Sequence, residues 1–89
     1  MKTRKFDIAE MLETEADIRG FLVEAAEGTP EEFIHALNTA ARAMGMTEVA
    51  KKAGVTRASL YKSLAENGNP NFKTIFKVTE ALGCKLKVA

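Results

Sequence analysis

The stretch from Met46 to Leu64, MTEVAKKAGVTRASLYKSL, constrains this chain more than any other. It reads as two short amphipathic helices parted at Gly54. Each piece is below the roughly 12–15 residues that an isolated helix needs in water, so neither forms without packing on its neighbour and on the rest of the fold. Counting Met46 as position one, the fifth position is Ala50, where a larger side chain would push the helices apart. The ninth is Gly54, where the chain must reverse sharply and glycine most readily supplies a left-handed φ. Positions four, eight, ten and fifteen are Val49, Ala53, Val55 and Leu60, all apolar and spaced to share one core. Glu48, Lys51, Lys52, Arg57 and Lys62 fall between them as an outer, polar set. Thr47 is expected to cap the first piece and Thr56 the second.

The flanking sequence supplies the rest of a helical domain. Thr14-Glu15-Ala16-Asp17 resembles a capping box with Asp in place of Glu, starting a helix near Glu15. Ile18, Phe21, Leu22 and Ala25 fall on one face, and Gly28 is expected to stop the run. Thr29-Pro30-Glu31-Glu32 is a second start signal, with an apolar stripe of Phe33, Ile34, Leu37, Ala40, Ala41 and Met44 ending at Gly45. After the hairpin, Glu66-Asn67-Gly68-Asn69-Pro70 is dense in turn formers. Asn71 is expected to cap a last helix whose inner face is Phe72, Ile75, Phe76, Thr79 and Leu82, closed by Gly83. Cys84-Lys85-Leu86-Lys87-Val88 alternates apolar with charged, the period of a half-buried strand. Such a strand would pair with residues 4–8 or with another subunit. Phe6-Asp7-Ile8 reads equally as an edge strand or as an irregular lead-in. The expected fold is all-α: five helices in one domain over residues 1–89, with a short terminal β-strand as an option.

Composition narrows the function classes. Eighty-nine residues suit one small domain, of a size that gains from burial through oligomerisation. A hydrophobic content of 46% with 28% charged residues excludes a disordered chain. No apolar run approaches the roughly 18 residues of a membrane helix, and MKTRKFDIAE lacks a signal peptide's apolar core. The single Cys84 excludes an internal disulfide and a cysteine-based zinc cluster, which makes a reducing cytoplasm the expected home. His35 stands alone, without a second histidine or cysteine at metal-ligand spacing, and glycine-rich phosphate loops are absent. No enzyme, cofactor or metal is therefore expected. The net charge of +1 hides a split: residues 1–45 hold five Lys/Arg against nine Asp/Glu, and residues 46–89 hold eight against three. Such a split lets a polyanion meet the second half while the first does something else. The acids Glu10, Glu13, Glu15, Asp17, Glu24 and Glu27 read as a solvated face, or as a surface that attracts a basic partner.

Helix–Gly–helix alone is common in bundles, but the alanine, the glycine and four apolar positions in register are more specific. They point to a helix-turn-helix over 46–64. TEVAKKAGVTRASLYKSL followed by ENGNPNFKTIFKVTEALGCKL resembles the Cro/lambda-repressor-type helix-turn-helix family. More narrowly it is similar to the HigA-like antidote proteins (antitoxins) of addiction modules, whose N-terminal layout FDIAEMLETEADIRGFLVEAAEGTPEEFIHALNTAARAMGM also matches. That resemblance covers nearly the whole chain. It implies a dimeric repressor that binds its own operator and pairs with a RelE-like ribonuclease toxin encoded beside it. A long disordered tail, present in many antitoxins, is missing here, so a toxin contact is expected on folded surface.

In this docking geometry the second helix lies in the major groove, with its N-terminal residues nearest the bases. Thr56, Arg57, Ala58, Tyr61 and Lys62 take the outward positions, because Leu60 and Leu64 must face inward. Arg57 is the best base reader, since a guanidinium bonds guanine O6 and N7 together. Ala58 is small enough to approach a thymine methyl. Tyr61 reads either as a contact to phosphate or base edge, or as packing against Phe72. Lys62, Lys51 and Lys52 are expected to meet phosphates. Asn69 and Asn71 offer amides to the DNA backbone, or serve as turn and cap. Double-stranded DNA with a palindromic operator and a homodimer are the expected partners, with the terminal strand around Leu86 and Val88 as candidate seam. Two other readings stay open: a phage-type regulator without a toxin, and a protein-interaction adaptor whose hairpin is only structural.

Overall fold

The computed structural model describes residues 8–65 and 68–86. A 3-10 turn over Ile8–Met11 leads into α1 (Glu15–Ala25) and α2 (Pro30–Met44). Both helices start on complete capping boxes. Thr14 Oγ1 accepts the Asp17 N–H at 3.1 Å while Asp17 Oδ2 accepts the Thr14 N–H at 3.1 Å. Thr29 and Glu32 repeat the exchange at 3.1 and 3.2 Å. Ile18 and Leu22 of α1 and Leu37, Ala40 and Ala41 of α2 are buried, as their spacing predicts, with Phe21, Ala25, Phe33, Ile34 and Met44 packed at the edge of the same core. Gly28 is not the stop: α1 ends at Ala25, three residues sooner, with Ala26 still right-handed as its C-cap.

Three shorter helices follow: α3 (Met46–Ala53), α4 (Arg57–Leu64) and α5 (Phe72–Ala81). The expected cap at Thr47 is corrected. Helix α2 runs into α3 through Gly45 alone, the Gly45 carbonyl accepts the Val49 N–H at 3.0 Å, and Thr47 lies inside the first turn. Thr56 and Asn71 do cap α4 and α5. Between α3 and α4, Gly54 adopts φ 72° and ψ 31°, the left-handed region. Its N–H reaches Lys51 O at 3.3 Å and the Val55 N–H reaches Ala50 O at 3.0 Å, the paired bonds of a Schellman stop. A Cβ at Gly54 would meet nothing within 4 Å, so the demand for glycine there is conformational, not steric.

One core runs through all five helices. Val49, Ala50 and Ala53 of α3, Leu60 and Leu64 of α4, and Val78, Ala81 and Leu82 from α5 and its C-cap join Ile18, Leu22 and Leu37 in a single cluster. The two buried threonines, Thr39 and Thr79, donate their hydroxyls to the carbonyls of His35 and Ile75 one turn back, so neither is left unpaired.

Two expectations for the C-terminal part need correction. Phe72 and Phe76 do not face inward: they are 71% and 38% exposed, their rings 6.0 Å apart on the outer side of α5. Val78 and Ala81 take the inner positions. Cys84–Leu86 forms no strand among the described residues; Lys87 and Val88, like residues 4–7 that were to pair with them, lie outside the described residues. Of the lead-in Phe6-Asp7-Ile8, only Ile8 is described, and it opens the 3-10 turn. The described residues are thus all-helical.

Candidate nucleic-acid interface

Leu60 and Leu64 lie one turn apart on α4 and are both fully buried, which fixes the rotation of that helix about its axis. The opposite side is thereby turned to solvent. Thr56, Arg57, Ala58, Tyr61 and Lys62 are all exposed, as the spacing predicts. Lys51, Lys52, Asn69 and Asn71 are exposed as well.

The polar groups on this face are not equivalent. Thr56 Oγ1 accepts the Ser59 N–H at 3.0 Å, and Asn71 Oδ1 accepts the Thr74 N–H at 2.9 Å, so both side-chain oxygens serve as caps. Lys51 and Lys52 sit in the last turn of α3, where positive charge complements the helix C-terminus. Arg57 has the reverse placement. It occupies the first turn of α4, where no acid balances it and the helix dipole opposes its charge. Its contact is with Tyr61, one turn on: the guanidinium carbon lies 5.4 Å from the ring centroid, and Nη2 donates to the phenolic oxygen at 3.3 Å. Of the two readings of Tyr61, packing on Phe72 gives way to this pairing with Arg57. The pair forms a braced cation on the outer face of α4.

Two residues of the region were not singled out by sequence. Asn38, in the middle of α2, donates its amide to Leu64 O at 2.9 Å and accepts from Arg42 Nε at 3.1 Å. It ties the last carbonyl of α4 to the first half of the molecule. An amide beside Leu37 on a helix carries no signal for a contact 26 residues away. Lys77 is the other. A cleft of about 300 Å³ beside Gly54 gathers it with Lys52 and Glu80, a juxtaposition made only by the packing of α5 on α3. His35 is exposed on α2, and among the described residues no cluster of His, Cys, Asp or Glu could hold a metal ion. What the α3–α4 face offers chemically is cationic and hydrogen-bonding contact.

Residues 2–89 match the family model described as "Probable addiction module antidote protein". The chain belongs to that antidote family. An uncharacterized protein of Haemophilus influenzae is 41% identical over 86 residues, covering 96% of this chain and 89% of the relative. No solved structure gives a significant match. An antidote is defined by the toxin it counters, so membership implies a toxin partner of some kind and points to a regulator, not a catalyst. No helix among the described residues is long and apolar enough to cross a membrane.

Proposed function

We propose that this antidote is a sequence-specific DNA-binding repressor that acts as a homodimer on a palindromic operator and regulates its own operon together with a RelE-like toxin. The observation that carries the reading is the left-handed Gly54 turn, which aims the outer face of α4 away from the core with Arg57 braced on Tyr61. An arginine held against its own helix dipole costs local stability, and base readout gives it a use. In this reading α4 enters the major groove as the second helix of a Cro/lambda-repressor-type helix-turn-helix. Arg57 reads a guanine, Ala58 and Tyr61 approach neighbouring base edges or backbone, and Lys62, Lys51 and Lys52 meet phosphates. Thr56, Asn69 and Asn71 contribute at the rim, Thr56 and Asn71 while capping their helices. Eight residues of reading helix are too few for one subunit to be selective. Two copies about 34–36 Å apart on a symmetric site supply the rest.

The test is fluorescence anisotropy of the purified protein on its own upstream DNA beside a scrambled duplex, at two salt concentrations. Selective binding is expected, and Arg57→Ala should relax preference at one base pair by about 1–3 kcal/mol. Unchanged affinity and specificity in Arg57→Ala would remove α4 as the reading helix. A second reading, an interaction adaptor whose hairpin is structural, draws on the exposed Phe72–Phe76 pair. A folded protein that binds neither duplex would favour it.

A further inference from the structure

A groove of about 810 Å³ lies between α1, α2 and the end of α4. Phe21 and Ala25 of α1, Ile34 of α2 and Leu64 of α4 give it an apolar lining, to which Glu31, Glu32 and Arg42 add two negative charges and one positive. Its size falls within the range of roughly 300–1,000 Å³ typical of pockets that enclose a compact ligand, here a few side chains of a partner segment. None of the nine residues proposed for DNA is among its described lining. Its surroundings carry the opposite charge from the α3–α4 face. Over residues 8–45, eight exposed carboxylates stand against two exposed cations, Arg19 and Arg42. A phosphate backbone is repelled by such a field; a cationic segment with an apolar face is drawn to it and has a floor to bury that face against.

We propose that this groove is the docking site for the toxin, received as a cationic segment whose apolar side chains enter between Phe21, Ala25, Ile34 and Leu64. The proposal rests on the antidote reading, since it presumes a toxin. The outward apolar patch on α5 is the less suitable seat, because Phe72 and Phe76 belong to the half that carries net positive charge and are flanked by Lys73 and Lys77. On this assignment the acidic half holds protein, the basic half holds DNA, and both are available at once.

The probe is the product of the reading frame adjoining the protein's own gene, titrated calorimetrically against the full-length chain. Glu31 is exposed in the first turn of α2 and outside its capping box, so Glu31→Lys reverses a lining charge at only a modest cost to the helix. It should weaken the complex roughly tenfold and flatten its salt dependence. Ala25→Arg places bulk and like charge in the groove and should weaken it by a larger factor. Both variants should bind operator DNA as the wild type does, and Phe72→Ser should leave toxin binding unchanged. A tight complex indifferent to both groove variants, or one lost in Phe72→Ser, would overturn the groove while leaving the antidote reading intact. A chain that binds its operator but not the neighbouring product would overturn both the groove and the toxin partnership, without touching the DNA claim. Groove variants that alter only the self-association of the chain would overturn the toxin as occupant and show a second copy in its place.

Discussion

In α1 and α2 the side-chain cap, its reciprocal acid and first-turn carboxylates are all in place. Thr14 and Thr29 close reciprocal boxes with Asp17 and Glu32, acids fill both first turns, and Pro30 opens α2. In α3 and α4 most of these devices are missing. Helix α3 has no side-chain cap, and α4 has Thr56 but no reciprocal acid, with Arg57 where an acid would be favoured. The first half obeys local rules that make helices stand; the second is held by burial while its outer face departs from them. Local and global preferences normally agree in a folded chain, and a departure that the packing does not require marks a surface kept for another purpose. That contrast supports a functional α4 without relying on the family.

The largest test asks whether the halves are one structure. Leu37 in α2 and Leu60 in α4 are both fully buried in the single core. Leu37→Ala and Leu60→Ala should each cost about 2–5 kcal/mol. The only tyrosine is Tyr61, and there is no tryptophan, so tyrosine fluorescence reports on α4 while far-UV circular dichroism reports on every helix. Both probes should follow one denaturation curve in the wild type and in each variant. A tyrosine transition that separates from the dichroism would show the hairpin melting by itself and would break the picture of a shared core.

How much of this was legible in the sequence varies along the same division. The capping boxes and the α1 and α2 stripes were readable because each signal is local, a cap and an acid three residues apart or an apolar period within one helix. Gly54 was readable because the turn needs a left-handed residue whatever surrounds it. Failures came where tertiary placement decided. Thr47 before Glu48 has the form of a cap, but α2 passes through Gly45 without the break a cap would occupy. On α5 the expected inner face holds at Ile75, Thr79 and Leu82 and fails at Phe72 and Phe76, whose places are taken by Val78 and Ala81. Spacing cannot tell on which side of that face the boundary falls, and the contact with α3 settles it. Asn38 and the groove were invisible for the same reason, being assembled from α1, α2 and α4 together.

Glycines sharpen the comparison at smaller size, through opposite signs. Gly20 lies inside α1, exposed, with nothing within 4 Å of an added Cβ, and its φ lies outside the left-handed region. Gly20→Ala should therefore stabilise by about 0.5–1 kcal/mol, by removing backbone freedom from the unfolded chain and raising helix propensity. Gly54 has equal space but a left-handed φ of 72°. Gly54→Ala should destabilise by about 1–2 kcal/mol. Thermal melts of the two variants should move in opposite directions. A Gly54→Ala protein as stable as the wild type would mean that the turn can be made another way, and the aim of α4 would no longer depend on it.

The smallest expected change in stability carries the sharpest conclusion. Arg57→Glu places an acid in the first turn of α4, where the dipole favours it, and the new carboxylate would do there what that of Glu31 already does in α2. It also removes the cation–π contact to Tyr61, so the net gain should be no more than about 0.5 kcal/mol. On the proposed function the same substitution sets a carboxylate against phosphates and guanine acceptors, and operator binding should vanish. A protein that becomes slightly more stable as it loses its operator would show that Arg57 is retained against the interest of its own helix. If Arg57→Glu instead destabilised the fold as much as the loss of a cap, about 1 kcal/mol, the brace to Tyr61 would be the reason for the arginine. The contrast between the two halves would then be one of packing alone.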